Sequence, residues 1–370
     1  MPQPRDEADL AEAIASARGA LEPIGGGSKR GIGRPVRAEP LDLSALAGIV
    51  AYEPEELVLT ARAATPLAEV AQLLGDHSQR LVFEPPDLGP LLGASAAPTL
   101  GGVLAANSSG SRRLSGGAAR DHFLGFRAVS GRGERFQAGG RVVKNVTGYD
   151  LPKLLAGSWG TLAVLTEVTV RVHPAPEHER TLLVPAETAA AAVSLMSAAL
   201  ACACEVSCAA FVPASGVALR LEGFEVSVAA RARALVEALG CAREHRWLLD
   251  ADSREMWAVI GGAKALARHR IVWRVSVPPS AAPALIERLA PQDYLIDWGG
   301  GLVWLGASVL DAAVVRGALA SGHATLVKAP EPVRASTAVF PPLPAGLAAV
   351  TARLKEAFDP RERLNPGRMS

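Results

Sequence analysis

Net charge is almost absent from this sequence: 38 Lys and Arg face 37 Asp and Glu, leaving a formal +1 over 370 residues. No broad field of one sign is available to gather phosphate backbones or anionic lipid, so nucleic acid is excluded as an expected partner. Cysteine is scarce as well. The four residues, Cys202, Cys204, Cys208 and Cys241, begin with a C-x-C-x3-C run that fits neither ferredoxin-type ligation nor paired C-x2-C zinc ligands. They read as reduced thiols packed as small hydrophobes, and any iron–sulfur chemistry is expected on another chain. The seven histidines, at 77, 122, 173, 178, 245, 269 and 323, lack metal-ligand spacing, and no metal is expected. Long apolar runs fit to span a membrane are missing too. Residues 88–111 carry no formal charge, but Pro90, Pro98, several glycines and Asn107 interrupt them, and the freed backbone groups would be costly in hydrocarbon. Residues 188–204 are short and Ala-rich and read as a packed helix. The opening residues are polar and acidic, so the expectation is no secretory signal and a cytoplasmic location.

What is present is core-forming material, 49% hydrophobic residues with 20% charged, in a chain longer than one core usually needs. Two domains are expected. Residues 6–17 place Leu10 and Ile14 four apart behind acids in the first turn, which predicts an amphipathic helix. Residues 20–24 predict a strand ending at glycines. Residues 57–61 predict another strand, followed by a helix with Thr65 as N-cap, Pro66 at its first position and Leu67, Val70 and Leu74 on its apolar face. Residues 84–140 are dense in Gly, Pro, Ser and Ala and show few periodic segments, as expected of a long functional loop ordered by a large ligand. A strand at 161–172 stops at His173-Pro174-Ala175-Pro176, where a domain boundary is placed.

Beyond that boundary two similar series follow. The first has strands at 181–184, 209–212 and 217–221 with helices at 187–201 and 226–239. The second has strands at 271–275, 294–298, 302–305 and 324–328 with helices at 281–289 and 311–320. Each approximates a split βαβ unit, β-α-β-β-α-β, the last strand of the first copy being weak, and the two units can share one antiparallel sheet. Leu347, Val350, Leu354 and Phe358 mark a C-terminal helix before Leu364-Asn365-Pro366-Gly367.

Three segments carry candidate chemistry. Pro23, Ile24, Gly25, Gly26, Gly27, Ser28 and Lys29 form a glycine run whose backbone can turn several amides toward one point, an anion nest suited to a pyrophosphate. A mobile glycine turn is the plain alternative. The run is neither a Walker A loop nor Gly-x-Gly-x-x-Gly, which removes support for P-loop hydrolysis and a Rossmann site. Pro98, Thr99, Leu100, Gly101 and Gly102 with Asn107, Ser109 and Gly110 form a second run, able to approach a flat ring closely and to hydrogen-bond its polar edge. The third runs from Gly139 through Lys144-Asn145-Val146-Thr147-Gly148-Tyr149-Asp150 to Gly157, Ser158, Gly160, Thr161 and Leu162. Charged, amide and aromatic residues lie between its glycines rather than along an apolar face. Asp121 and Lys144 complete the set of candidate cofactor-binding residues.

In this order the three segments resemble the flavin-binding domain of FAD-linked oxidoreductases of the vanillyl-alcohol oxidase / p-cresol methylhydroxylase (PCMH) type. The runs KNVTGYDL, GS-x-GTL and LNPGR are most similar to the smaller, E-type FAD-binding subunits of bacterial glycolate oxidases. The resemblance implies an α+β chain: a two-part PCMH-type FAD-binding domain at 1–175, a second domain of split βαβ (ferredoxin-like) units on an antiparallel sheet at 176–340, and a C-terminal helix and tail at 341–370 returning to the first. Residues 25–28 match the pyrophosphate loop, residues 98–110 the second flavin-contacting loop, and residues 157–162 the turn and strand closing the site. Some relatives attach FAD through a histidine in the first loop. Here Gly27 stands in the comparable place, which implies a non-covalent flavin.

Related 2-hydroxy acid dehydrogenases carry a Gly-Asp-Gly-Asn-His stretch in the substrate domain, and this sequence has none, so no catalytic base is nominated. Arg274 and Arg334 are carboxylate candidates, each with an ordinary structural alternative. The expected role is an FAD-binding subunit supporting oxidation of glycolate to glyoxylate, by electron relay or assembly, beside a catalytic flavoprotein subunit and an iron–sulfur subunit. Any membrane association is expected through those partners. A self-sufficient dehydrogenase of another small alcohol or hydroxy acid, using Lys144, Tyr149 or an arginine, and a scaffold with a vacant flavin site are the alternatives.

Overall fold

The structure is a computed structural model describing residues 1–140, 148–242 and 244–369. Helix Glu7–Ser16 opens the chain because the Asp6 carboxylate accepts from the amides of Ala8 and Asp9, while Leu10 and Ile14 face inward, fully buried. They pack with Leu21 and Leu41 of a small parallel strand pair, Leu21–Ile24 beside Glu39–Asp42. The chain end joins this cluster. Leu364 bridges Leu21 in parallel, the Leu21 amide donates to the Arg363 carbonyl at 2.6 Å, and the Asn365 amide donates back to the Leu21 carbonyl at 3.0 Å.

A five-stranded antiparallel sheet lies beside this cluster, in the order Ile49–Glu53, Val58–Arg62, Ala163–Arg171, Phe123–Ser130, Arg135–Gly139. The last two strands fall inside the stretch expected to be loop. Phe123–Ser130 is an interior strand, buried on both faces except at Arg127, so it lacks the alternation that marks a half-buried strand. The helix after the second strand, Leu67–Asp76, starts one residue later than expected, with Pro66 rather than Thr65 at its N-cap, and the Thr65 hydroxyl donates to the carbonyls of Arg62 and Gly48 instead of capping it.

The remaining large sheet has eight antiparallel strands: Arg246–Leu249, His178–Val184, Gly216–Gly223, Cys208–Val212, Asp293–Asp297, Leu302–Ala307, Ile271–Ser276, His323–Lys328. Read in chain order, each half is β-α-β-β-α-β. The halves meet edge to edge through their second strands, where Phe211 pairs with Ile296. Helices Ala189–Ala201, Glu225–Ala238, Ala282–Leu289 and Ala312–Gly317 cover one face of this sheet. The other face, carrying Val272, Leu295, Leu302 and Trp304, packs against Ile32, Leu88 and Leu91 from the N-terminal part, and this shared core sets how the two parts sit. Helix Asp250–Gly261 supplies Trp257 and Ile260 to it. All four cysteines are free thiols. Among the described residues no helix is long and apolar enough to cross a membrane.

Candidate functional site

Strand Leu21–Ile24 delivers the first glycine run to the seam between the two parts. Gly27 adopts φ +84°, a conformation that favours glycine, and a Cβ added to Gly26 would lie 1.7 Å from the Ala97 carbonyl oxygen. The run therefore lies directly on the segment that leads into helix Leu100–Ala105. Thr99 caps that helix, its Oγ1 accepting from the Gly102 amide at 3.3 Å, and the Gly101 amide donates to the Ala63 carbonyl at 2.8 Å. Among the described residues, none of the amides of residues 25–28 has a hydrogen-bond acceptor in the protein. Four consecutive unpaired donors beside a lysine form a nest for an anion. The buried Glu22 braces the loop from below: its carboxylate accepts from Arg30 Nε at 3.0 Å and from Arg368 Nη1 at 3.4 Å.

Pro23, Ile24, Gly25, Gly26, Gly27, Ser28 and Lys29 line a cleft together with Thr99, Gly101, Gly102, Ser158 and Gly160. Trp159, at φ +53°, hangs from the Ala105 carbonyl through its amide at 2.9 Å, and its own carbonyl accepts from Asn365 Nδ2 at 2.9 Å. Asn365 Oδ1 is buried on the same cleft wall without a hydrogen-bond partner among the described residues. The cleft continues, past Lys29, Ala106 and Trp159, into a chamber of about 580 Å³ to which Asn107, Ser109, Gly110 and Gly157 contribute. Asn107 and Ser109 also hold their own loop, accepting from the amides of Arg120 at 3.1 Å and Ala119 at 2.9 Å.

Other expected residues lie elsewhere. Leu100 and Leu162 are core side chains; Pro98 shapes the backbone, its carbonyl accepting from the Leu67 amide at 3.0 Å; Thr161 donates to the Ser158 carbonyl at 2.6 Å. Asp121 caps its own turn by accepting from the Ala118 amide at 2.9 Å and lines neither cavity. Lys144 lies outside the described residues.

The chamber's far wall comes from the eight-stranded sheet. Asp297 is buried, accepting from Ser111 Oγ at 2.6 Å and from the Trp298 amide at 2.7 Å; burial raises its pKa to about 6, with those two hydrogen bonds opposing the rise. Trp298 Nε1 donates to the Gly110 carbonyl at 3.0 Å. The loop containing Gly110 and Ser111 is thus pinned by a neighbouring pair of residues from the other part of the chain. Arg274 and Arg113 lie 4.8 and 5.0 Å from the Trp298 ring centroid. Arg334 is structural, donating to the Gly33 carbonyl at 3.0 Å. Arg113, Asp297, Trp298 and His323 were not among the sequence candidates. They lie more than two hundred residues apart at the extremes, and no local pattern joins them. Asn365 and Arg368 sit in the LNPGR run, which did carry a signal.

The family model for an FAD binding domain matches residues 2–139. The chain is 36% identical over 351 residues to glycolate oxidase subunit GlcE of Escherichia coli strain K12, covering 93% of this chain and 91% of that protein. The chain belongs to the glycolate oxidase E-subunit family.

As a member of that family it is an FAD-binding oxidoreductase subunit of the PCMH type. Its similarity to glycolate oxidase subunit GlcD of Bacillus subtilis strain 168 is shorter, 39% over 116 residues, 31% of this chain and 24% of that one. A D-lactate dehydrogenase of Archaeoglobus fulgidus matches at 39% over 118 residues, 32% of this chain and 25% of that one. Among solved structures, alkyldihydroxyacetonephosphate synthase superposes with a TM-score of 0.66 at 14% identity, over 98% of this chain and 76% of that chain, and so shares the fold. The E-subunit site fits the flavin on its own chemistry: unpaired amides and Lys29 suit a diphosphate, and the adjoining chamber has room and polar edges for a ring.

Proposed function

We propose that this E-family chain is the FAD-holding subunit of an assembly that oxidises a 2-hydroxy acid, glycolate to glyoxylate, together with a catalytic flavoprotein subunit and an iron–sulfur subunit. In this reading residues 1–175 with the returning tail 341–370 hold the flavin, and residues 176–340 close the chamber over it. The amides of residues 25–28, with Lys29, hold the diphosphate; Asn107, Ser109, Gly110, Gly157 and Ser158 border the ring's polar edge. FAD, when bound, supplies a two-electron acceptor. The protein's part is to orient it, to exclude water with the Trp298 and Trp304 wall, and to hold charge nearby. Attachment is non-covalent, since no histidine lies within the glycine run.

The observation that carries this reading is the row of four unpaired amides opening toward a chamber between the two parts. Absorbance of the purified chain before and after FAD addition tests it. Flavin bands retained through gel filtration and released into the supernatant on trichloroacetic acid precipitation are expected, and a chain that stays colourless with added FAD refutes it. Brisk glycolate turnover by the lone, FAD-loaded chain with a dye acceptor would overturn the auxiliary role. The alternative of a self-sufficient dehydrogenase draws support from the unpaired arginines of the chamber.

A further inference from the structure

Positive charge gathers at a second place on the seam between the two parts. Gly31 of the N-terminal part lines a cavity of about 420 Å³ together with Arg268, His269, Arg270, Lys328 and Arg334 of the second part. None of these residues lines the flavin cleft or the chamber. Neighbouring strands bring the cations together. Arg270 precedes strand Ile271–Ser276, and Lys328, which pairs with Val272, ends the adjacent strand His323–Lys328; Arg334 comes from the helix Glu331–Ser336 that follows. The acid on this side is already engaged: Asp293 Oδ2 accepts from Arg268 Nη2 at 2.5 Å and lies 2.5 Å from His269 Nε2. Lys328 Nζ donates to the Ala267 carbonyl at 2.6 Å, and Arg334 donates to the carbonyls of Gly33 at 3.0 Å and Ala329 at 3.3 Å. A carbonyl satisfies a hydrogen bond but leaves the charge unbalanced. Burial lowers the pKa of both Lys328 and Arg334, the charge of Glu331 opposing the fall at Arg334. Among the described residues Arg270, Lys328 and Arg334 form no ion pair. Three like charges around one cavity, two of them partly desolvated, are costly without a counter-charge.

The arrangement limits what supplies that counter-charge. A carboxylate brings one charge and a planar pair of acceptors, which suits a single guanidinium. Cations converging from three different segments call for more charge and for acceptors spread in three dimensions. A phosphate dianion, with about three strong acceptor oxygens, has both. Gly31 adds a backbone donor, since its amide has no acceptor among the described residues. The cavity is larger than the ion alone needs, and with Leu92 and Pro330 as its main apolar lining it offers little to an apolar body. We propose that this cavity binds a phosphate group, free or as the monoester of a small polar molecule, held by Arg270, Lys328 and Arg334 beside Gly31. An occupant there touches both parts of the chain and so favours the arrangement in which they meet. The assignment does not draw on the flavin reading.

Calorimetry on the full chain, FAD-loaded and FAD-stripped, with inorganic phosphate, glycerol 2-phosphate, acetate and glycerol tests this at about pH 8, where both phosphates are dianions. On loaded protein at least one of the two phosphates is expected to bind about tenfold or more tighter than acetate, and glycerol to give no binding heat. The tighter of the two tells whether the free ion or an ester is the ligand. Arg270→Met and Lys328→Met should each weaken the phosphate by about fivefold or more, with Lys328→Arg recovering part of the loss. Arg270 is exposed at the start of its strand, so its variant tests the idea even if Lys328→Met fails to fold. Arg18→Met, which removes the same charge from the exposed segment after the first helix, is the control and should change nothing. Acetate binding as tightly as both phosphates, phosphate binding indifferent to Arg270→Met, or an equal loss in Arg18→Met overturns the proposal. Phosphate binding seen only on stripped protein also overturns it, since the amides of residues 25–28 would then be the site. Should the chain refuse FAD and still bind phosphate through Arg270, the flavin reading falls and this one stands.

Discussion

Lys29 stands where cleft and chamber join, and its ammonium group has no hydrogen-bond or ion-pair partner among the described residues. Burial brings its pKa from 10.5 down to about 8, and the more distant charge of Asp87 opposes this only in part. The unfolded chain therefore holds more protons than the folded one between about 8 and 10.5, and the ligand-free protein gains stability as pH rises through that window. A bound diphosphate reverses the balance by raising the lysine's pKa, so the complex holds more protons than the free protein above about pH 8. FAD affinity should be flat below pH 8 and fall above it. Lys29→Met should weaken binding at pH 7 by about tenfold or more and abolish the alkaline fall, as read by quenching of flavin fluorescence across pH 6.5–9.5. An unchanged pH profile in the variant would detach Lys29 from the diphosphate. Asp297 shows the opposite perturbation on the far wall: burial lifts a carboxyl to about 6 even though two donors serve its charged form.

At the scale of elements, the glycine run and the segment before helix Leu100–Ala105 act as one piece because no side chain separates them. A methyl group on Gly26 would collide with backbone, the Ala97 carbonyl, which cannot swing aside as a side-chain end can. Gly26→Ala should lower stability by about 1–3 kcal/mol and abolish FAD retention. Gly19→Ala, with nothing within 4 Å of its new Cβ, serves as the neutral control in the same thermal melts and spectra. Equal behaviour of the two variants would show that the contact between the loops is unimportant. These loops were legible in the sequence because glycine is itself the signal. So were the two β-α-β-β-α-β series, whose strands are rich in β-branched residues and whose helices begin at acids, Thr or Pro. The strands Phe123–Ser130 and Arg135–Gly139 were hidden by glycine-dense surroundings and by burial on both faces of the first. Helix Asp250–Gly261 was missed because its first turns read Asp-Ala-Asp-Ser-Arg-Glu and only Ser253, Trp257 and Ile260 turn inward. The chamber wall was illegible for another reason: Arg113 and Trp298 meet only after two sheets have formed, although Arg274 had been singled out by residue type.

Over the whole molecule, a buried cluster of charges fastens the two parts together beside the chamber. Arg80, Glu84 and Arg112 come from the N-terminal part; Arg220 and Glu222 come from strand Gly216–Gly223 of the large sheet. Arg80 Nη1 donates to Glu222 Oε1 at 2.5 Å, Arg112 pairs with Glu222 Oε2, and Arg220 Nη2 donates to both Glu84 oxygens at 2.9 and 2.7 Å. Arg220 also lies over the Trp257 ring at 5.1 Å. Burial pushes the Glu222 carboxyl upward, but Arg220, Arg80 and Arg112 outweigh it and hold the pKa at about 2. Its folded value lies below the ordinary 4.5, so this stabilisation is full above about pH 4.5 and is lost as pH falls toward 2. Glu222→Gln leaves three arginines crowded with one carboxylate fewer, and breaking a buried pair in this way costs about 3–5 kcal/mol. Adding Arg112→Met should return part of that loss, because one unpaired cation is then removed. Urea unfolding of the single and double variants at pH 7 and pH 4 measures both effects, and the gap between wild type and Glu222→Gln should narrow at the lower pH. A loss below about 1 kcal/mol would mean that the apolar contact of Leu88, Leu91 and Trp257 alone sets how the two parts sit, and that the charges merely satisfy one another.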